Sequence, residues 1–232
     1  MAKGLALHIG VDTLCATHPY YRDFSDLHCA KNGAKYFQRV TEEMKFEESV
    51  CLLDIEATRE RVLSILEGYA SKLADDDLFV LTFSGHGVQE FEDDGPFDNG
   101  KDEFWCFSDD LLMDDTITRW ILNFEASSRI IVISDCCYGG GILDLREYLN
   151  QGSSPVYLMA ASHEDQVAYQ HEIYSAFTYC IKKELFENPL SYSSLADGVR
   201  KRMKEKKLRH SPRFKSFGSN QEGLVGQKPF AI

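Results

Sequence analysis

Long apolar runs and framework cysteines are both missing from this sequence of 232 residues. No apolar run approaches the roughly 18 residues that a membrane-spanning helix needs, and no basic N-terminal region precedes an apolar segment of the secretory type. The seven cysteines are odd in number and lack the spacing of a disulfide framework, which favours a reducing compartment. The sequence therefore predicts a soluble, cytoplasmic protein with no membrane as a partner.

Positive charge is also scarce. Lys and Arg number 25 against 37 Asp and Glu, so the formal net charge is −12. A surface of this charge disfavours nucleic acid and anionic membranes as partners. The acid is concentrated between residues 90 and 115, where eleven Asp or Glu accompany a single Lys. Such a region suits a cation or a cationic substrate.

Apolar periodicity divides the chain into alternating strands and helices. Short runs that are apolar on both faces predict strands at Leu5–Val11, Glu48–Asp54, Asp77–Phe83, Arg129–Ser134 and Val156–Ala161. Helical spacing predicts helices at Asp26–Met44, Thr58–Leu73, Asp115–Phe124, Tyr174–Phe186 and Ser194–Leu208. The alternation predicts an α/β fold with a mostly parallel central sheet, helices on both faces, and one domain over residues 1–232. The tail from Ser216 is expected to be loop or an edge strand.

Two of the predicted strands end in residues that can carry chemistry. The strand from Arg129 leads into Ser134-Asp135-Cys136-Cys137-Tyr138 and three glycines, and the strand from Asp77 leads into Ser84-Gly85-His86-Gly87. In open α/β sheets, ligands bind outside the carboxyl ends of the strands. The histidine precedes the cysteines by about 50 residues, the spacing of a caspase-type Cys/His pair. The pattern predicts a Cys/His peptidase.

A Cys/His pair at adjacent strand ends has the chemistry of nucleophilic catalysis. The thiolate is the attacking species, and an imidazole can accept the thiol proton. The backbone N–H groups of Gly87 and Cys137 are candidates for holding the oxyanion. Three alternatives stand beside this one: the thiols and His86 are buried structural residues, they form a zinc site, or Cys136 is the nucleophile. Adjacent side chains of an extended segment point to opposite faces, so only one of the two cysteines can face His86.

The two motifs together resemble those of a known family. Ser84-Gly85-His86-Gly87 and Asp135-Cys136-Cys137-Tyr138-Gly139-Gly140 are similar to the histidine and cysteine blocks of the caspase-like cysteine peptidases, in their metacaspase and orthocaspase branch. The resemblance runs from Leu5 to Tyr179. It implies a caspase-like fold, a catalytic dyad of His86 and Cys137, and the second cysteine as the nucleophile.

The resemblance also implies a substrate class. Metacaspases with an acid at the position of Asp135 cut after Arg or Lys, and the Ser84 hydroxyl would join Asp135 in binding the cationic P1 side chain. Asn32 stands where metacaspases carry a second acid, which puts the P1 choice in question. Asp165 belongs to residues 160–169, which resemble a segment that lines the substrate cleft. The alternative for Asp135 is an acid that caps a turn or helix.

Calcium is the cofactor that the resemblance implies. Many metacaspases bind it through aspartates, and the similar positions here are Asp102, Asp114, Asp115 and Asp144. Calcium takes about six to eight oxygen ligands, which carboxylates from neighbouring loops can supply. The alternative is an ordinary solvated acidic loop.

The sequence thus predicts a cysteine endopeptidase that cleaves proteins after a basic P1 residue, with activation by calcium and a place in a proteolytic cascade or a cell-death or defence response. A monomer is favoured. The basic segment Arg200–Lys207 is expected to be the solvated face of a helix, with self-cleavage there as the alternative. Two other functions stay open: a catalytically silent interaction module, and a peptidase of the same clan with a different P1 preference.

Overall fold

A computed structural model gives the fold, and it describes residues 2–90, 101–124, 128–143, 154–163, 166, 173–208 and 210–232. The strands of this part of the chain are β1 (Gly4–Gly10), β2 (Glu48–Leu53), β3 (Leu78–Ser84), β4 (Gly87–Glu90), β5 (Asp102–Cys106), β6 (Leu111–Met113), β7 (Arg129–Asp135), β8 (Val156–Ala160) and β9 (Arg213–Phe217). The helices are α1 (Ala30–Glu43), α2 (Arg59–Ala70), α3 (Asp114–Leu122), α4 (Ala176–Phe186), α5 (Tyr192–Glu205) and α6 (Gln221–Val225). None of these helices is long and apolar enough to cross a lipid bilayer.

The central sheet has six strands in the order β2-β1-β3-β7-β8-β9. The first five are parallel and β9 runs antiparallel to β8. This confirms the predicted α/β architecture with a mostly parallel sheet. Strands β3 and β7 are neighbours, and their last residues, Ser84 and Asp135, are paired in register. The two predicted motifs therefore leave the sheet side by side.

Apolar residues on both faces of the sheet allow helices to pack on each side, so the fold has three layers: helices, sheet and helices. Alternate residues of β3 enter different cores: Phe79, Leu81 and Phe83 belong to one, and Leu78 and Val80 to the other. The first core is covered by α2 and α3, and the second by α1, α4 and α5. A strand buried on both faces needs apolar side chains at every position, so the continuous apolar runs mark these strands in the sequence.

A second, three-stranded sheet, β4-β5-β6, was not predicted. Its strands are only three to five residues long and lie in or beside the acidic stretch of the sequence, and antiparallel pairing with each other defines them. The predicted helix from Asp26 begins instead at Ala30, whose N–H donates to the Asp12 carboxylate at 2.8 Å. A cap supplied from 18 residues away leaves no local signal.

The C-terminal part also differs from its prediction. Helix α5 begins at Tyr192, two residues early, because Ser191 and Ser194 form a capping box at its start. The predicted edge strand is β9, which starts before Ser216, and α6 follows it. Helix α5 contains most of the basic segment, and its inner face buries Leu195, Val199 and Met203. The solvated helix face is thus confirmed.

Candidate active site

His86 lies in the turn between β3 and β4, where a backbone carbonyl holds its ring. Nε2 lies 2.8 Å from the carbonyl oxygen of Ser25. A carbonyl only accepts, so Nε2 carries a proton and Nδ1 is the nitrogen that can take one. The Phe24 ring stands edge-on, with the ring centroids 4.9 Å apart. Burial lowers the pKa of His86, against the opposing effects of the Ser25 carbonyl and Asp26, which keeps the ring neutral near pH 7.

The two cysteines after β7 have different surroundings. Cys136 is 2 % exposed, its Sγ lies 3.3 Å from the Ser134 hydroxyl, and burial raises its thiol pKa well above the usual value. Cys137 is only partly buried. A buried thiol with a raised pKa is a poor nucleophile. Of the two, Cys137 is therefore the one that a substrate can reach.

Gly87 brings the histidine turn against the cysteine turn. A Cβ at Gly87 would come within 2.2 Å of the Cys137 carbonyl oxygen and 2.9 Å of the Cys136 sulfur, so only glycine fits there. From the other side, the Cys106 N–H donates to the His86 carbonyl at 3.0 Å and ties the turn to the small sheet. The predicted nucleophile, base and oxyanion amides thus belong to two turns in direct backbone contact.

Asp135, the last residue of β7, is a buried carboxylate with one satisfied oxygen. It is 4 % exposed. Oδ2 accepts hydrogen bonds from the Ser175 hydroxyl and from the Thr178 hydroxyl, the latter at 2.5 Å. Oδ1 is buried and has no hydrogen-bond partner among the described residues. Burial raises the pKa of Asp135, while the two hydroxyls lower it.

The start of α1 closes over this carboxylate. A Cβ at Gly33 would lie 3.3 Å from the Ser84 hydroxyl oxygen and 3.6 Å from that of Thr178, so a side chain there would crowd both. Asn32 donates from Nδ2 to the Ile173 carbonyl at 2.9 Å. The structure therefore places Asn32 in the first turn of α1, next to Gly33. Its amide is hydrogen-bonded to the backbone that leads to Ser175. Asp165 lies outside the described residues.

A three-membered charge network fixes the segment that carries Ser25. The Lys31 ammonium lies 2.5 Å from the Asp54 carboxylate and 3.6 Å from that of Asp12. Asp54 also accepts from the Asp12 N–H at 2.8 Å, and the Asp12 carbonyl accepts from the Leu27 N–H at 2.8 Å. These bonds hold the chain between β1 and α1 in place, and with it the carbonyl that orients His86.

The candidate calcium ligands lie around the small sheet. Asp114 is 8 % exposed. Burial, together with the charges of Glu103, Asp115 and Asp102, raises its pKa to about 8 against the opposing effect of one backbone N–H bond. Asp115 pairs with Arg119 at 2.9 Å. Within the described residues, no three His, Cys, Asp or Glu side chains come together as a metal site, and Asp144 lies outside them.

Sequence reasoning missed three groups of this site. The Ser25 carbonyl is a backbone atom, so no residue type could reveal it. Ser175 and Thr178 have the spacing of a helix cap, and Ser175 does cap α4 by accepting from the Thr178 N–H at 2.9 Å. That signal could have placed the start of α4, but not the contact with an aspartate about 40 residues earlier.

Comparisons with known proteins bear on the family and the fold of the chain. The family model described as Caspase domain matches residues 3–221. Metacaspase-1A of Neurospora crassa is 28% identical over 155 residues, which is 60% of this chain and 32% of that protein, so the chain spans about a third of its relative's length. A solved structure from Geobacter sulfurreducens has a TM-score of 0.84 at 24% identity, covering 99% of both chains. Caspase-1 of Spodoptera frugiperda has a TM-score of 0.62 at 11% identity, covering 98% of this chain and 91% of that one. The likeness to Caspase-1 shows the caspase-like fold, and the family match shows that the chain belongs to the caspase-domain family.

Proposed function

We propose that this protein is a cysteine endopeptidase that cleaves after Arg or Lys. The observation that carries the proposal is the unpartnered buried oxygen of Asp135, two residues before the accessible Cys137. An unsatisfied buried acceptor costs free energy, and a cationic side chain from a substrate would satisfy it. Family membership supplies the reaction class.

The proposed mechanism uses the two turns at the ends of β3 and β7. Cys137 attacks the scissile carbonyl carbon while His86 Nδ1 takes the thiol proton, and the Ser25 carbonyl holds the resulting imidazolium. The amides of Gly87 and Cys137 stabilise the oxyanion. His86 then returns the proton to the leaving amine, which leaves a thioester. Water, deprotonated by His86, hydrolyses this thioester and restores the thiol.

Fluorogenic peptides that differ only at P1 test the proposal. We expect turnover with P1 Arg or Lys, and little with Asp or Asn. Cys137→Ala should abolish turnover, whereas Cys136→Ala should keep most of it, and exposed Asp75→Asn is the matched control for charge removal. No turnover of any peptide by the wild type would favour the silent interaction module, and cleavage after Asp alone would overturn the basic P1.

Calcium binding near Asp114 is a second proposal. The residues present fit a cation in one respect, since a buried carboxylate surrounded by like charges gains from a positive ion; the ion pair of Asp115 with Arg119 competes with it. Bound calcium would neutralise these carboxylates and order the neighbouring loops. Isothermal titration with calcium chloride should show binding by the wild type and by Asp75→Asn, but not by Asp114→Asn. Equal peptidase activity in chelator and in calcium would refute a role in activation.

We also propose a cytoplasmic location, because all seven cysteines are free thiols, as a reducing compartment favours. A place in a proteolytic cascade, cell death or defence is proposed on the family resemblance. Self-cleavage in the basic segment is not favoured, because Arg200–Glu205 lies in α5 and a peptidase needs extended backbone. An unchanged band for wild type beside Cys137→Ala after long incubation would exclude it.

A further inference from the structure

The start of α4 is built onto one oxygen of Asp135. The Ser175 hydroxyl accepts from the Thr178 N–H at 2.9 Å, so its own hydrogen is available for Asp135 Oδ2. The Thr178 hydroxyl donates to the same oxygen at 2.5 Å. Both residues thus use the first turn of a helix, where the N-terminal dipole favours negative charge, to hold a carboxylate of the central sheet.

The two oxygens of the Asp135 carboxylate differ in their hydrogen bonds. Within the part of the chain that the structure describes, Oδ1 is buried and has no hydrogen-bond partner, although Oδ2 has two. A carboxylate that served only to bind β7 to α4 would be expected to have both oxygens satisfied, because each unsatisfied buried acceptor costs about 1 to 3 kcal/mol. The asymmetry therefore indicates a ligand for Oδ1.

We propose that Ser175 and Thr178 are the positioning residues that set P1 specificity: they hold Asp135 as an ionised carboxylate and leave only Oδ1 for the cationic group of the substrate. This inference rests on the proposed function, in which Asp135 binds the P1 side chain. It adds that the charge of Asp135 depends on two neutral hydroxyls rather than on a cation.

The groups that face Asp135 support this dependence. Burial raises its pKa, and the opposing effects come from the Ser175 hydroxyl, the Thr178 hydroxyl and the Thr178 N–H. The titratable neighbours are Cys29 before α1 and Cys136 beside it, and burial raises both thiol pKa values, that of Cys29 to about 12. Among the described residues, no Lys, Arg or His contributes to the pKa of Asp135. A Lys or Arg side chain of the protein itself would occupy Oδ1, whereas the two hydroxyls on Oδ2 leave Oδ1 available.

The test is the pH dependence of kcat/KM for a P1 Arg peptide in Thr178→Val, which keeps the side-chain shape and removes one donor. We expect a loss of about 10- to 100-fold near pH 7, the effect of one hydrogen bond to a charged group. The acid limb should move to higher pH for the P1 Arg peptide but not for a neutral P1 citrulline peptide, because loss of a donor raises the pKa of Asp135 and only the cationic P1 side chain needs its ionised form. Thr178→Ser should restore both values.

A second variant and a control separate specificity from structure. Ser175→Ala should shift the acid limb in the same direction, while Ser191→Ala, which removes the cap of α5 instead, should leave it unchanged. Alkylation of Cys137 by iodoacetamide needs no P1 contact, so its rate should be the same in all variants. If either Thr178→Val or Ser175→Ala folds and keeps the wild-type profile, or if alkylation falls as much as turnover, the inference is wrong. Failure of the wild type to cleave after Arg would instead overturn the proposed function itself.

Discussion

Asp135 and Asp114 are both buried aspartates with raised pKa values, but their neighbours differ in kind. Hydroxyl donors surround one oxygen of Asp135, whereas the charges of Glu103, Asp115 and Asp102 surround Asp114. Neutral donors stabilise a negative charge without neutralising it, while like charges favour protonation. Asp135 therefore keeps one acceptor oxygen for the cationic substrate side chain that we propose. Asp114, with a pKa of about 8, is suited to a proton or a resident cation.

Of the predicted changes, the largest should be the effect of Asp135→Asn on kcat/KM for a P1 Arg peptide. The amide keeps the shape but cannot pair with a cation, so we expect kcat/KM for P1 Arg to fall on the order of 100- to 1,000-fold, as when a buried charge loses its partner. Steady-state kinetics with the fluorogenic peptide measure it. Asp114→Asn, assayed beside it, should lose far less, and comparable losses in the two variants would remove the distinction between the two sites.

Asp114→Asn should instead change stability. Its folded pKa lies above the ordinary value, so the wild type loses stability as pH rises from about 4 towards 8, and the amide escapes this loss. In calcium-free buffer at neutral pH we expect a gain in the free energy of unfolding of about 1 to 3 kcal/mol. Urea unfolding at pH 5 and pH 7.5 measures it, with Asp75→Asn as the control. A gain that did not grow with pH would contradict the like-charge account of Asp114.

The pH dependence that comes from His86, the base, can be separated from the pH dependence that comes from Asp135. Burial lowers the His86 pKa, so loss of activity in acid should begin below the ordinary value of about 6.5. Phe24→Ala exposes the ring and should raise the His86 pKa. For a neutral P1 citrulline peptide, whose binding does not need the charge of Asp135, this moves the acid limb of kcat/KM up by a few tenths of a unit to about one unit. Iodoacetamide labelling of Cys137 checks that the site is intact. An unmoved limb would mean that His86 does not set it.

The discrimination between Arg and Lys should be the smallest effect. Because Ser175 and Thr178 occupy Oδ2, Asp135 presents one oxygen and cannot form the bidentate pair that distinguishes guanidinium from ammonium. We expect kcat/KM for P1 Arg and P1 Lys peptides to agree within about tenfold. A preference for Arg above about 100-fold would show that a second acceptor, besides Asp135 Oδ1, binds the guanidinium in a bidentate contact.

The strand ends could be predicted from the sequence, whereas the contacts that complete the site could not. Continuous apolar runs define β3 and β7, and the glycines that flank His86 and those that begin two residues after Cys137 mark the turns that follow. The groups that tune the site come from elsewhere: Ser25 acts through its carbonyl, Ser175 approaches Asp135 across 40 residues, and Asp12 caps α1 across 18. None of these contacts has a fixed spacing, so only the folded chain reveals them. The small sheet was missed for a related reason, since its strands are short and are defined by pairing with each other.

The most direct test of the central claim compares P1 Arg with P1 citrulline, its neutral isostere, in the wild type and in Asp135→Asn. If the unpartnered oxygen of Asp135 binds a cationic P1 side chain, the wild type should prefer Arg by at least about 100-fold, and Asp135→Asn should nearly abolish the preference. Equal kcat/KM for Arg and citrulline in the wild type would contradict the account, because the charge of Asp135 would then play no part in recognition.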